Sequence, residues 1–170
     1  MNNGELMAVP FIQYFSKKLI DSGLVDDEAP IKGCTAAEIK ELEQRENIKF
    51  PAVYRAYLEV MGRQAGDFLR GEEHSYPDLL TLKEGAQEIL ADSEITYQLS
   101  PTDFVFWMSQ GTQFAFFDTS VGDDPPVLHY REYTAAPTRR HDHLSQFLDY
   151  MLDAQLEMRK EAFELRAANS

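Results

Sequence analysis

The sequence predicts an α+β fold in which helices pack on a mainly antiparallel sheet, and three features carry that reading. The first hundred residues hold amphipathic stretches of helical period, one of them opened by a capping box at Thr35. After Pro101 the period changes to two, through DFVFWM and FAFF joined by SQGTQ. Near Ser145 the helical period returns, with Leu144, Phe147, Leu148, Met151, Leu152 and Leu156 on one stripe.

Taken in order, Pro10 to Ile20 reads as a first helix, with Phe11, Phe15 and Leu19 at i, i+4 and i+8 and Gly23 as a stop. DDEAPIKG combines charge, proline and glycine and reads as a connector. In CTAAEIKELEQRE, Thr35 can accept from the amide three residues on while Glu38 reaches back to the Thr35 amide. Cys34 and Ile39 then stand where a hydrophobic staple places its two apolar partners, which gives the thiol a structural role. Pro51 suits a first helical turn. Val53, Tyr54, Tyr57, Leu58 and Met61 form one face before Gly62 ends that helix.

The stretch from Arg63 to Pro77 is polar and glycine-punctuated, and we expect it to wrap the sheet edge with Phe68 and Leu69 as anchors. Leu82 to Asp92 reads as a shorter helix through Ala86, Ile89 and Leu90. In the strands, Phe104, Phe106 and Met108 alternate with Val105 and Trp107, and Phe114 and Phe116 alternate with Ala115 and Phe117. Both faces of this hairpin are therefore apolar and require cover. PVLHYREY offers a further strand, and TRRHDH reads as a loop before the last helix. Residues 1–156 are expected to form one domain, with 157–170 as a helical extension in which acids balance bases.

The charge is lopsided: 16 Lys and Arg stand against 29 Asp and Glu, a formal net charge of -13. Such a surplus disfavours nucleic-acid phosphates and anionic lipid as partners and favours a basic protein or peptide, with solvation as the plainer reading. No run of about 18 apolar residues occurs, and MNNGELMAVPF has neither a basic start nor a sustained apolar stretch, so the expected place is the cytoplasm, away from membranes. A single cysteine excludes an internal disulfide and suits a reducing compartment.

The chain carries no complete catalytic or cofactor-binding motif. His141, Asp142 and His143 have alternate spacing that suits zinc, but they follow Arg139 and Arg140, whose charge opposes a dication. Ser109 lacks the glycine that a nucleophile elbow places two positions earlier, and GRQAGDFLRG lacks the spacing and lysine of a phosphate-binding loop. The expectation is a protein that is not an enzyme and holds no metal or cofactor.

The order of these blocks resembles the SUKH superfamily. The matching pieces are a glycine before a capped helix (GCTAAEIKELE), a proline-initiated helix ending in glycine (FPAVYRAYLEVMG), then DFLRG, YPDLLTL, FVFWMSQGTQFAFF, PPVLHYRE and LSQFLDYML. The resemblance covers roughly residues 33 to 152. It implies helices on an antiparallel sheet, no catalysis, and a frequent role as an immunity protein that neutralises a toxin, often a nuclease or deaminase. A regulatory protein-interaction module of the same fold, with an intracellular partner, is the alternative that the resemblance leaves open.

The expected partner surface is acidic. No Lys or Arg falls between Asp103 and Tyr130, so Asp118, Asp123 and Asp124 are read as a rim that meets a basic partner. Asp67, Glu72 and Glu73 of the wrapping segment are expected to join them.

Overall fold

A computed structural model describes residues 3–168, with side chains from residue 6 onward. The ends of the expected domain and extension, residues 1–2 and 169–170, lie outside the described residues. Helix α1 (Asn3–Asp21) starts well before Pro10 and runs through it. Its buried stripe is Ala8, Ile12, Phe15 and Leu19, so packing extends upstream of the expected start, while Ile20 faces solvent.

Strand β1 (Ile31–Lys32) interrupts the expected connector and pairs antiparallel with β2 (Gln64–Ala65). Between them stand α2 (Ala36–Glu46) and α3 (Ala52–Met61). Both hydrogen bonds of the capping box are present at α2: the Glu38 amide donates to Thr35 Oγ1 at 3.3 Å, and the Thr35 amide to Glu38 Oε2 at 2.9 Å. Pro51 occupies the cap of α3, one place before its first turn. The turn between these helices is held by Glu43, whose buried carboxylate accepts from the Phe50 amide at 2.9 Å and pairs with Arg55. Burial opposes ionisation of Glu43, but these donors hold its pKa below the usual value.

The two glycines that bracket this unit work by closeness. A Cβ on Gly33 would stand 1.9 Å from the Glu59 carbonyl oxygen, and one on Gly62 would stand 2.6 Å from Cys34 Sγ. The backbone of residues 33–34 therefore lies directly on the end of α3, where the Cys34 amide donates to the Leu58 carbonyl at 2.8 Å.

After a short 3₁₀ turn at Asp78–Leu80, α4 (Leu82–Asp92) covers the expected span and buries Leu82, Ala86, Ile89 and Leu90. The main sheet follows with strands β3 (Asp103–Ser109), β4 (Gln113–Asp118), β5 (Val127–Arg131) and β6 (Thr138–His141), in the antiparallel order β3-β4-β5-β6. β6 corrects the reading of TRRHDH as a loop. Its residues are polar and mostly exposed, so no alternation announces it; it forms because β5 offers an open edge. The other edge, along β3, is covered by the wrapping segment, where Glu73 and Met108 exchange backbone hydrogen bonds of 3.0 and 2.9 Å.

A bulge between Val105 and Trp107 alters the expected alternation. Trp107 opposes Ala115 and so shares a face with Phe117, whereas Met108 opposes Phe114 and turns to the face where it meets Gly85 of α4. One face, carrying Phe104, Phe106, Trp107 and Phe117, is covered by α3 and by α5 (Leu144–Ala168), with α1 packed behind α3. The other, carrying Phe114, Phe116 and Met108, lies under α4 and the segment after it, where Tyr97 sits 6.2 Å from Phe116 between ring centres. Helix α5 buries Leu144, Phe147, Leu148 and Leu152, then continues exposed from Glu157 to Ala168.

Removing the capping oxygen by Thr35→Ala should lower unfolding free energy by about 1 kcal/mol. Phe106→Ala should lower it by about 3 to 5 kcal/mol, because the ring lies at the helix–sheet contact. Chemical denaturation measures both, and equal midpoints for wild type and Thr35→Ala would contradict the role of the cap.

Candidate partner-binding surface

The six expected acids fall into two groups at opposite ends of β3. Asp118 ends β4 directly opposite Asp103, whereas Glu73 lies beside Met108. From Asp103 to Met108 the strand runs roughly 16 Å. Helix α5 gives a second ruler: Asp124 binds its start at Ser145, and the Asp67 carbonyl accepts from Gln155 Nε2 at 2.8 Å, about 15 Å further along the axis.

In the hairpin-end group the three aspartates do different things. Asp124 caps α5, accepting from the Ser145 amide at 2.9 Å and from Ser145 Oγ at 2.5 Å. Asp118 accepts from the Ser120 amide at 2.9 Å and from Ser120 Oγ at 2.7 Å; burial pushes its pKa up, but these donors bring it below the usual value. The Asp123 side chain is exposed, and its carbonyl accepts from the Val53 amide at 3.0 Å at the start of α3.

Asp103 belongs with this group although charge patterning alone did not single it out as a contact residue. It is buried, with one carboxylate oxygen accepting from the Ser100 amide at 2.7 Å. Burial raises its pKa, and the facing Asp118 adds to the rise. Counting back from the turn would have revealed the pair only with the bulge known. Unbroken pairing from Ser109 and Gln113 sets Phe104, not Asp103, opposite Asp118. Beside the pair runs a groove of ≈ 380 Å³, with Phe116 and Leu128 on its floor and Tyr97, Val121 and Pro126 at its sides.

Two acids of the wrapping segment, Asp67 and Glu72, line a second cleft of ≈ 390 Å³ together with Asp26 and Glu28, while Glu73 lies outside it. Here cations are built in. Arg63 and Arg70 line the same cleft, Arg70 pairs with Asp67 at 3.4 Å, and Arg63 binds Glu38 through Nε at 3.0 Å. His74 packs edge-on against Phe68, and burial pushes its pKa down to about 4.

The thiol of Cys34 is pushed up to about 11, chiefly by burial, which leaves it a poor nucleophile; its sulfur lies beside Gly62 at the end of α3. His141 ends β6 with its ring 5.6 Å from Phe147, and among the described residues no three His, Cys, Asp or Glu side chains are grouped to hold a metal. No helix among them is long and apolar enough to cross a membrane.

The layered α+β architecture agrees with the fold that the resemblance to SUKH domains implies. The chain matches the SMI1 / KNR4 family (SUKH-1) over residues 33–150 and belongs to that family. The match begins at Gly33, at the close contact with α3, and ends within α5. No curated protein matches the chain.

Glu38 and His74 are among the groups that make stability fall in acid. Glu38, held to about 2 mainly by Arg63, stabilises the fold above its ordinary value of 4.5 and loses that contribution as pH falls toward 2. Neutral His74 contributes fully above 6.5 and loses its contribution as pH falls toward 4. The melting temperature should therefore decline from pH 6.5 downward, and His74→Gln should make the limb between 6.5 and 4 shallower, with half-buried His129 and His141 still contributing to it, while leaving the lower one. An identical profile in the variant would contradict the burial of a neutral imidazole.

Proposed function

We propose that the chain is a non-catalytic immunity protein that binds and neutralises a cognate toxin of nuclease or deaminase type. The observation that supports this best is membership of the SMI1 / KNR4 family. The charge of -13 adds a physical reason: a nucleic-acid-processing toxin needs a basic surface for its substrate, and an acidic protein complements that surface. In this reading the hairpin-end acids Asp118, Asp123 and Asp124 meet the partner first, and Asp67, Glu72 and Glu73 form a second contact on a different side. Inhibition works by occlusion, so the chain needs neither cofactor nor metal, and it acts in the cytoplasm, where the toxin's target lies.

Co-expression with a toxin domain encoded immediately upstream should restore growth of a bacterial host and yield a co-purifying complex. Growth arrest that persists despite a soluble, folded chain would sink the immunity reading; an isolated gene whose product binds a host protein would favour the regulatory module instead. In such a complex Asp123→Asn with Asp124→Asn should slow association and weaken its dependence on salt, with dissociation changed less. Asparagine at position 124 still caps α5, so the charge is removed without loss of the helix start. On-rates identical to wild type at low salt would show that the hairpin-end acids are only a solvated face.

A further inference from the structure

The acid pair Asp103 and Asp118 is a part of the acidic surface whose local chemistry asks for a specific ligand. Like charges directly opposite each other on neighbouring strands destabilise a sheet, yet no Lys or Arg forms an ion pair with either carboxylate among the described residues. The cation that acts on Asp103 through space is Lys83, and its ammonium is engaged elsewhere, with Glu46 at 3.3 Å and the Pro101 carbonyl at 3.2 Å. The second cleft differs on this point, since Arg63 and Arg70 already stand among its acids.

What lies next to the pair narrows the ligand. The groove continues from the carboxylates over Phe116 and Leu128, with the Tyr97 ring as one wall. A small inorganic cation would use the acids and leave this apolar length empty, and an aliphatic chain would use the length and leave the acids unpaired. Arginine has the matching shape: an aliphatic stem, a planar head that stacks on aromatic rings, and a fork of donors suited to carboxylates.

Resting on the reading of the chain as a binder of basic proteins, we propose that this groove receives an arginine side chain of the partner, with its guanidinium between Asp103 and Asp118 and its stem on Phe116 and Leu128. The Tyr97 ring stacks on the guanidinium plane. The groove supplies what an acidic rim lacks by itself, a largely desolvated anchor that slows dissociation, while the exposed acids around it steer the approach.

The test titrates the isotope-labelled full chain with N-acetylarginine amide and follows the backbone amide resonances. N-acetyllysine amide and N-acetylnorleucine amide are titrated in parallel. Saturable shifts should be confined to residues 97–103 and 116–128, with arginine binding tighter than lysine and norleucine giving none. Asp103→Asn with Asp118→Asn should weaken arginine binding about tenfold or more, the size expected for a charge-assisted contact. Resonances elsewhere should stay in place, which verifies the fold of the variant.

Shifts scattered over the acidic surface, shifts centred on the 63–75 cleft, or a norleucine response equal to that of arginine would overturn the proposal. So would lysine binding as tightly as arginine, which would reduce recognition to charge alone. The toxin reading is decided separately by growth and co-purification. A groove that fails with protection intact moves the contact to another face, whereas an arginine-selective groove without protection leaves a binder of basic proteins with a different purpose.

Discussion

The ring of Tyr54 is the contact on which the layers depend. It is fully buried and packs against Phe50 and Tyr57 on the helical side and against Phe104, Phe106 and Phe117 on the sheet, with ring centres 5.1 to 6.0 Å apart. A sheet with both faces apolar must be covered twice, and α3 can cover the first face only if its own position is fixed. That is the function of the close approach at Gly33 and Gly62, where side chains would force α3 away from residues 33–34. α5 then closes the same face through Phe147, tied to α1 by Lys18, which reaches Asp149 at 2.6 Å and Asp153 at 2.7 Å.

Much of this was legible because the residues concerned act locally. The capping box needs only Thr35 and Glu38, and α4 announces itself through one stripe; both stand where the sequence predicts. The failures involve partners distant in the chain. β6 carries Thr138, Arg139, Arg140 and His141, a run without apolar alternation, and becomes a strand only by pairing with β5. Pro10 suggested a start for α1, but Ala8 is buried against the core and carries the helix upstream. The bulge in β3 has no signature of its own in FVFWMS, so the exchange of faces that brings Trp107 onto the face of Phe104 and Met108 onto that of Phe116 could not be read in advance.

The same limit applies to the candidate site. Sequence singles out the acids between Asp103 and Tyr130 because no cation lies among them, but it cannot show which of them the fold already uses. Asp124 is committed to the start of α5, and Asp67 stands near Arg70 at the far end of the sheet. Asp103, which the sequence places among the acids of this stretch but not as a contact, becomes the buried half of a like-charged pair through a one-residue shift of register. Net charge therefore identifies the sign of a partner, and register identifies where its charge can be received.

That an uncompensated acid pair stands at the hairpin end is the physical claim beneath the functional account. The two carboxyl carbons can be followed by NMR across the acid range in the protein alone. Asp103 should titrate above the ordinary aspartate value of 3.8, because it is buried and faces a carboxylate, and Asp118 below it, because Ser120 donates to it twice. Replacing Asp118 by Asn should bring Asp103 part of the way back down. Two carboxyls that titrate together at 3.8, with Asp103 unmoved by that replacement, would show that the acids do not face each other across the strands and that the groove has no charged end.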